Sequence, residues 1–181
     1  MPPYGMDRAE FAKEVSIMKI LVLNGPNLNL LGVREPEIYG NQSYYDLCKQ
    51  IKTHAAEIGV EVEIRQTNHE GVLVDWIQAA GGFYDRIQAP GRSFEGLRDP
   101  GARFDGIVLN PGACTHTSVA LLDAVLAVEI PTVEVHISDP MAREHFRRIS
   151  FVRRACVATI AGHGLNGYLE AMDLLKLEID S

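Results

Sequence analysis

Five short apolar runs punctuate the chain, at residues 18–23, 60–64, 104–109, 132–135 and 156–161, and each reads as a β-strand. The first carries a single lysine, the pattern of a strand buried on both faces, and the others resemble it. Between them, apolar positions recur at helical spacing over 44–58, behind Ser43 as N-cap, and over 72–80, 118–128 and 165–177. Pro140 can open a further short helix over 141–148, whereas 150–154 shows no clean period. Strands alternating with helices need crossover connections, which produce a parallel sheet covered on both sides. The expected fold is α/β: a flavodoxin-like, doubly wound, three-layer α/β/α domain on a five-stranded parallel sheet.

Two segments stand outside this alternation. Residues 1–17 scatter Asp7, Glu10 and Glu14 among apolar positions; lacking the apolar centre of a signal peptide, they read as an N-terminal extension. Residues 81–103 are rich in Gly, Pro, Arg and Asp, with Phe83, Tyr84 and Phe94 as large anchors, and read as a surface insertion before the third strand. That leaves 18–181 as one domain, a length that suits a single core in a chain of 181 residues with 46% hydrophobic positions.

Charge narrows the partners. A formal net charge of -7 offers no basic face to phosphates, so no nucleic acid and no anionic membrane is expected, and no apolar run is long enough to span a bilayer. A small molecule fits better. Cys48, Cys114 and Cys156 are odd in number and form no Cys-x-x-Cys pair, which points away from a disulfide framework or a zinc site and towards a reducing cytoplasm.

In open parallel sheets, ligands bind outside the carboxyl ends of the strands. The unusual polar residues fall there in four successive loops: Asn24 to Asn29, Asn68-His69-Glu70-Gly71, Asn110 to Ser118, and Glu134 to Asp139. Each loop alone has an ordinary explanation in turn and capping chemistry; four on one edge make a dense hydrogen-bonding inventory for one crevice. The connection 25–42, with Arg34, Glu35, Tyr39 and Gly40, exceeds what a strand-to-helix joint requires, as ligand-covering lids do.

Tyr39 as a base is energetically accessible. Ionising a tyrosine near neutrality costs about 4 kcal/mol, and a guanidinium such as Arg34 at about 4 Å in a medium of effective dielectric 20 offsets about as much. A packed tyrosine with a solvated arginine explains the same residues. His136 ends the fourth strand with Glu134 two positions earlier on the same face; that carboxylate can orient the imidazole and favour its protonated form, as a general acid requires. A structural histidine bonded to a core carboxylate accounts for the pair equally well.

The motifs together resemble one family. Asn24-Gly25-Pro26-Asn27-Leu28-Asn29-Leu30-Leu31-Gly32, Arg34-Glu35-Pro36, Tyr39-Gly40, Asn68-His69-Glu70-Gly71, Asn110-Pro111-Gly112-Ala113, Thr115-His116-Thr117-Ser118, Glu134-Val135-His136-Ile137-Ser138, Ala142-Arg143-Glu144 and Phe146-Arg147 follow in order as they do in type II 3-dehydroquinate dehydratases. The likeness runs from Met18 to about Leu175, interrupted by the insertion.

The resemblance implies a hydro-lyase that reversibly dehydrates 3-dehydroquinate to 3-dehydroshikimate by anti elimination through an enolate, without Schiff base, metal or other cofactor. It makes Tyr39 the base, with Arg34 stabilising its phenolate, Asn27 serving the enolate oxygen, and His136, oriented by Glu134, protonating the departing hydroxyl. Asn110, His116, Ile137, Ser138 and Arg147 would bind substrate, Arg143 would add positive charge near Tyr39, and Asp123 would reach a neighbouring subunit's site. The assembly implied is a homo-oligomer, a dodecamer built from trimers. The reaction would serve the shikimate pathway of aromatic amino-acid biosynthesis or, alternatively, quinate catabolism.

Three features depart from the pattern: Cys114 where the family usually has an aromatic residue, Asp139-Pro140-Met141 after the Ile-Ser pair, and the insertion. An inward-facing Asp139 would weaken binding of an anionic substrate. Other classes fit less well. A phospho-receiver domain needs an aspartate at the end of the third strand, where Asn110 stands, and a flavodoxin needs a Ser/Thr-rich loop after the first. An inactive scaffold would be expected to have lost Tyr39 or His136.

Overall fold

The computed structural model describes residues 17–33, 41–82 and 103–181. Five strands form one parallel sheet: β1 (Lys19–Asn24), β2 (Glu61–Gln66), β3 (Gly106–Asn110), β4 (Thr132–His136) and β5 (Ala158–Ala161), in the order β2-β1-β3-β4-β5. Four helices cover it: α1 (Tyr44–Ile58), α2 (Glu70–Ala80), α3 (Val119–Val128) and α4 (Asn166–Asp180). This is the doubly wound arrangement that the alternating pattern predicts.

Period-two alternation divides the core. Ile20 and Val22 of β1, with Val108, Val133 and Val135, pack under α1 and α4 through Leu47, Ile51, Tyr168 and Met172. Leu21, Leu23, Ile107 and Leu109 pack on the opposite face under α2 and α3, against Trp76, Ile77, Leu121 and Val125. On β4 this second face carries Thr132, Glu134 and His136, alternating with the two valines and all buried. A 3-10 turn, Val152–Ala155, and the segment around it lie over them, with Val152 in that core. A polar strand face therefore sits beneath short turns rich in hydrogen-bonding groups.

The boundaries differ from the sequence reading in instructive places. Residues 141–148 form two 3-10 turns, Pro140–Ala142 and His145–Arg148, instead of a helix. β5 begins at Ala158 rather than 156, because the 3-10 turn at Val152–Ala155 delays chain extension. β2 and β5 are only partly buried, not enclosed like β3 and β4, because they are the edges of the sheet. The N-terminal extension and the insertion at 81–103 fall almost wholly outside the described residues. Among those described, no helix is long and apolar enough to cross a membrane.

Candidate active site

The loops after β1, β3 and β4 converge on a cavity of ≈ 270 Å³ at the carboxyl edge of the sheet. Their backbones are joined tightly. Gly25 donates its N–H to Asn110 O at 2.8 Å, and a Cβ at Gly25 would lie 2.5 Å from the carbonyl oxygen of Pro111, so only glycine allows this approach. Asn27 holds the left-handed conformation, φ 69°, that asparagine tolerates, and its N–H donates to Asn68 Oδ1 at 2.9 Å.

Seven of the residues singled out from sequence line this one cavity: Asn27, Asn110, His116, His136, Ile137, Ser138 and Arg147. Arg143 joins them. Pro26, Leu28, Leu30 and Leu31 supply an apolar wall that polar-residue reasoning missed, although the Leu-rich loop signalled it. Tyr39 and Arg34 lie outside the described residues. Asp123 does not join the cavity; it stands exposed on α3. Asp139 turns away from the cavity, capping the Pro140–Ala142 turn by accepting from Met141 N at 2.8 Å, so the inward-facing carboxylate considered from sequence is not found. Cys114 is half-buried beside the second core face, where burial first, and then the charge of Glu70, raises its thiol pKa.

The arginines are positioned from below. Arg147 Nε donates to Glu144 Oε2 at 2.9 Å, and Arg143 Nε lies 3.6 Å from the same oxygen. With Nε of Arg147 engaged, its two amino nitrogens remain for an anionic ligand. His116 Nδ1 donates to Ile149 O at 2.6 Å, which fixes a tautomer whose Nε2 accepts when the ring is neutral. The Asn110 amide is oriented at both ends: Oδ1 accepts from Gly112 N at 3.1 Å, and Nδ2 donates to the buried Tyr168 hydroxyl at 2.8 Å, which in turn donates to Asn24 Oδ1 at 2.7 Å. Burial raises the Tyr168 phenol above its ordinary range, so it acts as a neutral relay of this network. Sequence reasoning passed over Tyr168, which lies 58 positions from Asn110.

At the centre, His136 Nε2 sits 3.0 Å from Glu134 Oε1. The N–H is not aligned with that oxygen, so the contact is electrostatic rather than a directed hydrogen bond. Glu134 is fully buried. The hydroxyls of Thr115 and Ser150 both donate to its Oε1, Ser150 at 2.8 Å, and Thr159 Oγ1 donates to Oε2 at 3.2 Å. Burial alone pushes this carboxyl up, but the adjacent His136 and the Thr115 and Ser150 hydroxyls outweigh it and hold the pKa at about 2. The carboxylate is thus ionised at any working pH, beside a nearly buried imidazole that borders the cavity. Among the described residues, no three His, Cys, Asp or Glu side chains gather as a metal-binding group.

The chain is similar to known proteins over most of its length. A 3-dehydroquinate dehydratase of Corynebacterium glutamicum is 50% identical over 157 residues, covering 87% of this chain and 94% of its own length. One from Clostridium acetobutylicum is 47% identical over 159 residues, covering 88% and 96%. The crystal structure of a type II dehydroquinase from Butyrivibrio crossotus superposes with a TM-score of 0.76 at 46% identity, covering 89% of this chain and 99% of that one. A sequence model of the family described as "Dehydroquinase class II" matches residues 18–176, and the chain belongs to that family.

Proposed function

We propose that the protein converts 3-dehydroquinate to 3-dehydroshikimate by proton abstraction, enolate formation and loss of water. The observation that carries this reading is the buried Glu134, held by Thr115, Ser150 and Thr159, set behind His136, which borders a cavity with Arg143 and Arg147. An anionic carboxylate attracts an imidazolium more than a neutral imidazole, which suits a group that must deliver a proton.

In this scheme Tyr39, its phenolate stabilised by Arg34, removes the proton alpha to the ketone. The electron pair enters the enolate, whose oxygen is served by Asn27. The enolate then expels the hydroxyl as the carbon–oxygen bond breaks, and His136 protonates it to water. Arg147 holds the substrate carboxylate; Asn110, His116, Ile137 and Ser138 bind its hydroxyls. An arginine fork suits a carboxylate, and a donor at the developing charge suits enolate chemistry. No cofactor takes part.

By the same reading Asp123, which is exposed on α3, acts in a neighbouring subunit's site, the assembly is a dodecamer of trimers, and the enzyme works in the cytoplasm. The reaction belongs by this reading to the shikimate pathway; a deletion strain that requires aromatic amino acids supports it, and one that loses only growth on quinate moves it to catabolism.

The test is direct. Purified protein given 3-dehydroquinate should produce the rising ultraviolet absorbance of a conjugated enone, undiminished by chelator or borohydride. No rise across mild pH removes the assignment. Tyr39→Phe should lower kcat on the order of a hundredfold or more; turnover within tenfold of the parent means that Tyr39 is not the base.

A further inference from the structure

Glu134 has two oxygens in different company. Oε1 carries Thr115, Ser150 and His136, on the side of the substrate cavity. Oε2 accepts from Thr159 on β5 and faces Arg153 Nε at 3.8 Å. Thr159 and Arg153 line a second cavity of ≈ 560 Å³, which shares no lining residue with the first. The half-exposed Arg153 therefore reaches the buried carboxylate from the opposite side, by way of a solvent-facing opening. Its backbone N–H donates to Ser150 Oγ at 2.9 Å, leaving the serine proton for Glu134 Oε1, so one residue touches both halves of the carboxylate's support.

We propose that Arg153, assisted by the Thr159 hydroxyl, is a positioning residue that sets the acid strength of the Glu134–His136 pair from outside the substrate cavity. A cation on Oε2 draws charge away from Oε1, and the imidazolium is held less strongly. The other groups around the pair leave this role to Arg153. Cys156, next in the chain after the Val152–Ala155 turn, has its thiol pushed up to about 12 by burial first and then by the Glu134 charge, so it is neutral. Arg143 and Arg147 border the substrate cavity and pair with Glu144; His116, also at the cavity, is tied to Ile149 O. Thr115, Ser150 and Thr159 are uncharged. Among the described ion pairs, the partner of Arg153 is Glu134.

The proposal rests on His136 as the acid of the reaction, and the experiment separates the two ideas. The imidazole of His136, assigned by its loss in His136→Ala, is titrated by NMR in the parent, Arg153→Gln, Arg153→Lys and Thr159→Val, and the pH profile of kcat is recorded alongside. In Arg153→Gln the titration midpoint should rise by about half a pH unit, a modest shift because a half-exposed cation is screened. Arg153→Lys should stay near the parent, and the isosteric Thr159→Val should move in the same direction by less. The limb on which kcat falls with rising pH should follow the midpoint. An unchanged midpoint in Arg153→Gln overturns the role of Arg153 whatever the turnover does, as does an equal shift in Arg153→Lys. A midpoint that moves without the kinetic limb supports Arg153 and instead removes His136 as the acid.

Discussion

His163 Nδ1 lies 2.7 Å from Glu170 Oε2 with both side chains about half-exposed, whereas His136 Nε2 lies 3.0 Å from Glu134 Oε1 with the carboxylate sealed from solvent. The shorter contact is the weaker one. Water screens the outer pair and competes for both partners, so its net contribution is small. Glu134 has given up its hydration, and each lost water contact must be replaced by the protein; Thr115, Ser150, Thr159 and Arg153 do so. Contact length is therefore a poor measure of what an acid–histidine pair does. Burial and the number of supporting donors decide whether the pair is a surface ornament or a poised charge.

Replacing each histidine sharpens this contrast most. His136→Ala should reduce kcat on the order of 10²- to 10⁴-fold in the absorbance assay, and His163→Ala should leave it within twofold. Comparable losses in both variants would remove the distinction.

Acid should separate the pairs next. A carboxyl held at about 2 in the fold, against the ordinary 4.5, contributes stability that is fully present above pH 4.5 and is lost as pH falls from there towards 2. The shift corresponds to about 3 kcal/mol, read by urea denaturation at successive pH values. Glu134→Gln should flatten that part of the curve, whereas Glu170→Gln should leave it in place. A parent curve without this fall would mean that Glu134 is not held as described.

The smallest effect belongs to the outer pair. Glu170→Gln should change stability by less than about 0.5 kcal/mol, and any difference should vanish at high salt. A loss of several times that size would show that exposure does not protect this pair from mattering.

Local signals in the sequence carried far. Ser43 and Asp46 form a reciprocal capping box, and Gly59 closes the helix in the left-handed conformation, so both ends of α1 are written in adjacent residues. Glu134 and His136 are two positions apart on a strand, which is enough to place them on one face. Where partners are distant in sequence, the signal fades. Thr115 and Ser150 meet at Glu134 across 35 positions, and nothing local in either marks it. Ser118 caps α3, whereas Thr115, three positions earlier in the same loop, turns inward to the carboxylate. The direction of Asp139 depended on whether it would cap the turn that follows, and the partial exposure of β2 and β5 on their place at the sheet edges, both matters of assembly rather than composition.

The close approach of Gly25 to Pro111 has a consequence for altering the specificity of this enzyme. Because the loops after β1 and β3 are in backbone contact, Asn27 and Asn110 belong to one mechanical part: displacing either loop drags the other. A variant with a different substrate range must be sought among the side chains that line this floor, or in the separate arginine-bearing turns beyond Pro140, since a backbone change in one of the joined loops disturbs Asn27 and Asn110 together.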